Sequence, residues 1–320
     1  SGEHPKMPLE VVLGISILAA GILVMTLSSD KAVEHSVILA SALGISPLLI
    51  GFVLVSLGTD LPEIVNSIVS CALGHGNINA GDSIGSVLTQ LTLVLGLLPL
   101  LGNSFNVKRK EIIIIGACEI LALMLAMSIL EKGYVTRINA LFLVGSWLLY
   151  IVIIRAAIRK TSKRDLDLTQ MSRSKIYHVT MAMLGFVGVA VGAYLVVQST
   201  IILSAVFKIP EYLISFFLLA IGTSLPELAV DLTAIRKKEY EIAVGDIIGS
   251  CIIDASFSIG IGQIFFPQAI SGDLAAATSI YTIFASLMVI SILAIRERVD
   301  KKAGAMFIMI YLFSYIMLFV

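Results

Sequence analysis

The chain has 320 residues, of which 58% are hydrophobic and only 14% are charged, with a mean hydropathy of +1.00 and a net charge of zero. Soluble domains carry roughly 25% charged residues, so this composition excludes an ordinary soluble protein and favours one that crosses a membrane repeatedly. A net charge of zero gives no electrostatic basis for binding nucleic acid. The three cysteines lie in apolar segments and are expected to be small core residues.

Ten segments are apolar enough to cross a bilayer as helices, which requires about 20 residues each. In chain order they are 9–28, 37–74, 81–101, 111–130, 137–157, 179–206, 209–235, 242–266, 275–295 and 303–320. The sequence therefore predicts an all-α integral membrane protein with ten transmembrane helices, preceded by a tail at 1–8. The second segment is too long for a plain span, and the sequence GTDLPE lies in its middle.

The positions of Lys and Arg predict the orientation, because cytoplasmic loops carry more of them. Eighteen of the 22 lie in the loops after odd-numbered spans, and four lie in the other loops and the termini. This bias predicts a multi-pass protein of the cell membrane with both termini outside. Residues 158–178 then form a cytoplasmic linker between helices 1–5, at 9–157, and helices 6–10, at 179–320.

The two halves are related in sequence by a shift of 164 residues. GTDLPE at 58–63 aligns with GTSLPE at 222–227, and GDSIGS at 81–86 aligns with GDIIGS at 245–250, without a gap over about 40 residues. With five spans in each half, the second copy would enter the membrane from the opposite side. The sequence therefore predicts two inverted five-helix repeats, an arrangement typical of secondary transporters.

A proline in each copy predicts that helices 2 and 7 are broken. Pro62 and Pro226 lack an amide hydrogen and clash with the carbonyl four residues back, which would free carbonyl groups near Gly58 and at the matching place in the second half. Glu63 and Glu227 follow directly. Because a charge at the bilayer centre costs about 2.5–3.5 kcal/mol, a purely structural role for these glutamates is disfavoured.

The next helix in each half carries polar side chains at every fourth position, which places them on one face. These are Asp82, Ser86 and Gln90 in the first half and Asp246, Ser250 and Asp254 in the second. Glycines at the same spacing would allow close helix approach: Gly81, Gly85, Gly245 and Gly249. A site rich in oxygen suits hard cations, Ca²⁺ above all, with Na⁺ as a competitor.

Some acidic residues allow a second interpretation. Asp60, Asp82, Asp231 and Asp246 could instead face a water-filled vestibule or hold a neighbouring helix. Glu119 has no counterpart in the other half and is expected to make an interhelical hydrogen bond.

The paired motifs resemble the two α-repeats of the cation/Ca²⁺ exchanger superfamily, and the second repeat is especially similar to the prokaryotic sodium/calcium exchangers. The resemblance implies an antiporter, not an enzyme, that exchanges Na⁺ for Ca²⁺ by alternating access. It implies no cofactor and no obligate protein partner beyond the bilayer. In that family the first and sixth spans slide across the rest of the protein.

The resemblance also implies a ligand set. The central site would consist of Glu63, Glu227, Gln90 and Asp254. Residues matching the flanking Na⁺ sites are Thr59, Thr223, Ser86, Ser250 and Ser224. Backbone carbonyls would come from Ser56 and Ala220.

The chain departs from the family pattern in its acidic residues. Asp60 stands where serine is common, and Asp82 and Asp246 stand where asparagine is common; Gln90 also replaces an asparagine. Six close carboxylates cannot all stay ionised without cations, because like charges repel. The three additional aspartates are therefore kept as candidate ligands, and H⁺ or K⁺ remains an alternative coupling ion.

Two other classes of protein fit parts of the sequence. An intramembrane aspartyl protease would use Asp82 and Asp246, but the glycine expected two residues before each GD is replaced by Asn79 and Ala243. That interpretation also leaves both glutamates unexplained. A passive cation channel fits the composition, although two broken helices meeting at one occluded site suit alternating access better.

Overall fold

The computed structural model describes residues 6–42, 56–157, 174–236, 238 and 240–319, and nearly all of them are helical. The first-half helices are α1 (Lys6–Ala42), α2 (Ser56–Thr59), α3 (Leu61–Ala72), α4 (Gly76–Leu88), α5 (Leu95–Leu101), α6 (Arg109–Leu130) and α7 (Arg137–Ala157). The second-half helices are α8 (Lys175–Phe207), α9 (Glu211–Ile214), α10 (Ala220–Thr223), α11 (Leu225–Arg236), α12 (Tyr240–Ile253), α13 (Ile259–Phe265), α14 (Gly272–Arg296) and α15 (Lys301–Phe319). Three π-helical segments connect helices end to end: Thr89–Val94, Ser215–Leu219 and Asp254–Ser258.

Within the described residues, eight helical stretches are long and apolar enough to cross a membrane. They are Leu9–Ala32, Gly76–Leu101, Arg109–Leu130, Arg137–Ile154, Lys175–Phe207, Glu211–Arg236, Ala243–Phe265 and Gly272–Arg296, and they match the predicted first span and the third to ninth. The predicted second span lies partly outside the described residues, and α15 covers most of the tenth. Large apolar side chains on the outer surface, such as Phe142 and Phe284, are more than half exposed and suited to lipid.

The first helix is longer than predicted. The sequence places a loop after position 28, but α1 continues without interruption to Ala42. Residues 29–36 contain no glycine or proline, and Lys31 pairs with Glu34 one turn later at 2.8 Å, so the polar segment forms helix as readily as a loop. Similarly, α8 begins at Lys175, inside the predicted linker, where the Ser174 hydroxyl accepts a hydrogen bond from the Tyr177 amide.

Helices α1 and α8 pack closely along their length through small residues. A Cβ atom on Gly192 would lie only 2.7 Å from the Met25 amide nitrogen, and one on Gly185 would lie 2.6 Å from the Ala32 amide nitrogen. Near the ends of both helices, the Nδ1 atoms of buried His35 and His178 are 2.8 Å apart. The two helices therefore form one tightly matched pair.

Glycine also brings α4 close to the seventh span, as predicted. A Cβ atom on Gly81 would lie 2.3 Å from the Tyr212 carbonyl oxygen, and one on Gly85 would lie 2.2 Å from the Phe216 carbonyl oxygen. At Gly245 and Gly249, no described atom lies within 4 Å of such a Cβ. By the 164-residue shift, the residues expected to approach Gly245 and Gly249 are at positions 48 and 52, which lie outside the described residues. Close packing at these two glycines therefore remains a prediction.

Two short backbone pairings, absent from the sequence-based expectation, tie loops of the two halves together. Strand β1 (Phe105–Asn106) pairs antiparallel with β2 (Arg298–Val299), and Tyr134 forms a bridge with Ala269. The two pairings lie at opposite ends of α6 and α14, because each helix separates one from the other. Phe105 and Ala269 are 164 residues apart, as are Tyr134 and Arg298.

Candidate cation-binding site

Both helix breaks predicted from the sequence are present, one residue before each Leu-Pro pair. Helix α2 ends at Thr59 and α3 starts at Leu61, while Asp60 between them has φ −83° and ψ 7°. In the second half, α10 ends at Thr223 and α11 starts at Leu225, and Ser224 has φ −84° and ψ 6°. The bridge-like conformation at each break is common at functional sites.

The backbone at these breaks is already partly satisfied by protein groups. The Gly58 carbonyl, freed by Pro62, accepts a hydrogen bond from the Ser29 hydroxyl of α1 at 3.1 Å. The Ala220 carbonyl accepts from the Ser224 amide at 3.2 Å and lies 3.4 Å from the Thr223 hydroxyl. The sequence predicts that these carbonyls are free to bind a cation, and it does not predict the hydrogen bond from Ser29.

The two glutamates lie directly after the breaks and are buried. Glu63 is 1% exposed and Glu227 is 0% exposed. Among the described residues, none of their four carboxyl oxygens has a hydrogen-bond partner. A buried carboxylate without partners is costly, so these oxygens are suited to a cation or a proton that the surrounding side chains do not provide.

The facing wall brings together two side chains that are 164 residues apart. Gln90 Nε2 donates to Asp254 Oδ2 at 3.2 Å, and both residues are 0% exposed. Each lies within the first two residues of a π-helical segment, a distortion that is often found at functional sites. Thr92 and Ser256, also in these segments, donate their hydroxyls to carbonyls four residues back. The sequence did not predict the π segments.

Asp82 is held by neutral donors. Asn66 Nδ2 donates to Asp82 Oδ2 at 2.7 Å, and the Thr223 hydroxyl donates to Oδ1 at 3.2 Å. The Ser86 hydroxyl lies 3.4 Å from the Thr223 hydroxyl. Asn66 was not singled out from the sequence, although an amide one turn beyond Glu63 on an otherwise apolar helix is a signal that could have identified it.

The remaining acidic candidates meet near the first break. Asp60 Oδ2 accepts from the Ser250 hydroxyl at 3.1 Å, while Oδ1 has no partner among the described residues. Asp246 lies close to Asp60, and its carboxyl group is in contact with that of Asp231. Asp60 and Asp231 are 0% exposed. Most of the predicted acidic residues are thus buried close to one another.

The structure describes the side chains of some of the other predicted residues but not of all. The Ser224 hydroxyl is buried at the second break and has no partner among the described residues. Ser56 and Thr59 lie in α2, but their side chains are outside what the structure describes. Glu119 of α6 accepts from the Ser286 hydroxyl of α14 at 2.8 Å, as the predicted interhelical hydrogen bond requires.

The sequence segments that carry the candidate site residues are poor in basic side chains. Segments 32–107, 209–235 and 239–295 contain neither Lys nor Arg. Within the part of the chain that the structure describes, no group of three or more His, Cys, Asp and Glu side chains is arranged to hold a metal ion. Amide, hydroxyl or carbonyl oxygens would therefore have to complete a cation site, as is usual for hard cations.

This fold and acidic interior define a multi-pass membrane protein with a buried, oxygen-rich polar cluster. The family model described as sodium/calcium exchanger protein matches residues 13–155 and 177–320. The chain therefore belongs to the sodium/calcium exchanger family, a family of membrane transporters, and is a cation/Ca²⁺ antiporter in class.

Individual relatives agree with this assignment. The inner membrane protein YrbG of Escherichia coli is 30% identical over 293 residues, which cover 87% of this chain and 89% of YrbG. The sodium/calcium exchanger MaX1 of Methanosarcina acetivorans is 29% identical over 131 residues, or 41% of this chain and 37% of MaX1. A solved structure of the sodium-calcium exchanger NCX_Mj matches with a TM-score of 0.60 at 25% identity and covers 95% of this chain and 98% of that one.

Proposed function

We propose that the chain exchanges Na⁺ for Ca²⁺ across the membrane by alternating access. The observation that carries this proposal is the pair of buried glutamates, Glu63 and Glu227, whose carboxyl oxygens lack partners among the described residues. They lie at two helix breaks in segments without Lys or Arg. Because each unpartnered carboxylate needs a counter-charge, this interior is suited to binding cations.

The proposed central Ca²⁺ site consists of Glu63, Glu227, Asp254 and the side-chain oxygen of Gln90. In the structure the Gln90 amide nitrogen donates to Asp254, which orients that side chain, and its oxygen lies 3.5 Å from Cys251 Sγ. Residues proposed for flanking Na⁺ sites are Thr59, Thr223, Ser86, Ser250 and Ser224, with backbone carbonyls of Ser56 and Ala220 and the carboxylates of Asp60, Asp82 and Asp246. Since Ca²⁺ and Na⁺ would share the same carboxylates, occupancy by one disfavours the other, which is the physical basis of exchange.

We further propose ten transmembrane helices in two inverted repeats, at 9–157 and 179–320, joined by a cytoplasmic linker at 158–178. Three observations support this arrangement. In the two inter-loop pairings, the 164-residue shift relates Phe105 to Ala269 and Tyr134 to Arg298. The π segments that carry Gln90 and Asp254 lie at matching positions. The family model also matches each half.

The closely packed pair α1 and α8 is the proposed moving part. Small residues keep the two helices in contact with each other, so they can shift together against the remaining helices. The hydrogen bond from Ser29 of α1 to the Gly58 carbonyl connects this pair to the first helix break. A shift of α1 would therefore change the environment of the break and of Glu63 five residues later.

The test is Ca²⁺ uptake into proteoliposomes loaded with Na⁺, compared with the same vesicles holding a pH gradient and no Na⁺. We expect uptake that requires internal Na⁺ and is lost in Glu63→Gln and in Glu227→Gln, because each change removes a cation ligand. Glu119→Gln is the matched control, since it alters a buried carboxyl group outside the proposed site. Uptake without any counter-ion would indicate a channel and overturn the proposal.

Ca²⁺/H⁺ exchange is the second candidate, and the additional carboxylates favour it. Asp60, Asp231 and Asp246 lie near one another, and a proton would relieve their repulsion as a cation would. Uptake driven by the pH gradient alone would select this candidate. Adding K⁺ to the outer solution together with Ca²⁺ tests the K⁺-dependent variant, in which K⁺ moves with Ca²⁺ and would make uptake faster.

A further inference from the structure

The contact between Asp231 and Asp246 lies between the α11–α12 turn and the central acidic residues. Helix α11 ends at Arg236 and α12 starts at Tyr240, so Asp231 is five residues before the end and Asp246 six residues after the start. At a rise of about 1.5 Å per residue, the pair lies roughly 8–9 Å from the turn. Glu227 and Asp254 are further from it along the same two helices.

Nothing in the described part of the chain neutralises this pair. Asp231 is 0% exposed, and both its oxygens lack hydrogen-bond partners; Oδ2 of Asp246 also lacks one. The Asp231 and Asp246 carboxyl groups are close enough to interact, and both are hydrogen-bond acceptors when ionised. Two acceptors in contact repel each other unless a positively charged species lies with them.

In the first half, the corresponding aspartate has neutral hydrogen-bond donors. Asp82, the counterpart of Asp246 in the 164-residue shift, receives hydrogen bonds from the Asn66 amide and the Thr223 hydroxyl. In the second half the side chain in contact with Asp246 is a carboxyl group, and Asp60 adds another nearby. The chain thus concentrates negative charge on one side of the central site.

We propose that Asp231 and Asp246 form a second Ca²⁺ site, separate from the central one, which holds the ion on its way between the α11–α12 turn and Glu227. The assignment of Ca²⁺ rests on the proposed function. Two carboxylates supply up to four oxygen ligands, and water completes the six to eight that Ca²⁺ takes. A site with so few protein ligands binds weakly, with a dissociation constant of about 10⁻⁴–10⁻³ M.

The experiment is equilibrium binding of radioactive Ca²⁺ to the full-length protein in lipid nanodiscs. The starting variant is Glu63→Gln/Glu227→Gln/Asp254→Asn, which replaces all three carboxylates of the proposed central site. We expect this variant to retain one weak Ca²⁺ site. Adding Asp231→Asn or Asp246→Asn should weaken that binding at least about tenfold, because each removes one of two charged ligands. Adding Glu119→Gln should leave it unchanged.

Two results would overturn the second site: no Ca²⁺ binding in the starting variant, or residual binding that Asp231→Asn does not alter. The amide that Asp231→Asn introduces could donate to Asp246 as Asn66 does to Asp82, so this variant is expected to fold, and its elution profile and thermal unfolding check that it does. If it does not, Asp246→Asn decides the question. Because binding is measured without transport, failure of Na⁺/Ca²⁺ exchange in proteoliposomes and failure of this site are separate results.

Discussion

At the scale of single residues, the interior is organised by which carboxyl groups have a neutral donor and which do not. Asp82 has Asn66 and Thr223, and Asp254 has Gln90. Glu63 and Glu227 have none among the described residues. Amide donors therefore orient Asp82 and Asp254, while the oxygens of the two glutamates stay open to a cation or a proton.

Asn66→Ala should lower the stability of the protein, because it removes the 2.7 Å hydrogen bond to Asp82 and leaves a buried carboxyl oxygen without that donor. Leaving such a group unsatisfied costs about 1–3 kcal/mol. Thermal unfolding in detergent without Ca²⁺ measures the effect. Ser70→Ala is the control, since the buried Ser70 hydroxyl donates to the Ser67 carbonyl within its own helix. Equal melting temperatures for the two variants would contradict this role of Asn66.

At the scale of helices, close approach depends on individual glycines. Helix α4 carries Asp82 and Ser86 and leads directly into the π segment that contains Gln90. Gly81 and Gly85 let this helix contact the backbone of the seventh span. The π segments change the helical register just beyond this contact, at the residues that form the facing wall. The positions of the ligands thus depend on packing between helices as well as on spacing along them.

Gly85→Ala should destabilise the protein, because its Cβ would lie 2.2 Å from the Phe216 carbonyl oxygen, and backbone must move to accommodate it. Overpacking of this kind costs about 1–3 kcal/mol. The matched control is Gly145→Ala in α7, where no described atom lies within 4 Å of the new Cβ. We expect Gly145→Ala to be neutral or stabilising, since alanine is favoured in helices by about 1 kcal/mol. A melting temperature for Gly85→Ala at or above that of Gly145→Ala would show that this contact is not tight.

At the scale of the whole molecule, the proposed topology makes the two halves opposite in orientation. The pairing of Phe105 with Val299 and the bridge of Tyr134 to Ala269 lie at opposite ends of α6 and α14. Lys and Arg are concentrated in the loops at one of these ends. From the positive-inside rule, we propose that the end with β1 and β2 faces the cytoplasm.

Single cysteines in two exposed loops test this orientation. In a background with Cys71, Cys118 and Cys251 replaced by alanine, we expect a membrane-impermeant maleimide to label Lys132→Cys in intact cells. Lys238→Cys should be labelled only after permeabilisation, because the turn after α11 is proposed to be cytoplasmic. Both side chains are exposed, so differences in labelling report the side of the membrane. Labelling of both in intact cells would contradict the ten-helix topology.

The sequence alone determined the membrane class, the two related motifs and the two helix breaks, and it singled out Glu63 and Glu227 as candidate ligands. Hydrophobic length, proline and buried charge act locally and can be recognised along the chain. Only the tertiary structure decided that Ser29 donates to the Gly58 carbonyl, that Asn66 donates to Asp82, and that the carboxyl groups of Asp231 and Asp246 lie close together. These partners are 15 to 29 residues apart, so packing decides whether a polar group meets a donor or an acceptor.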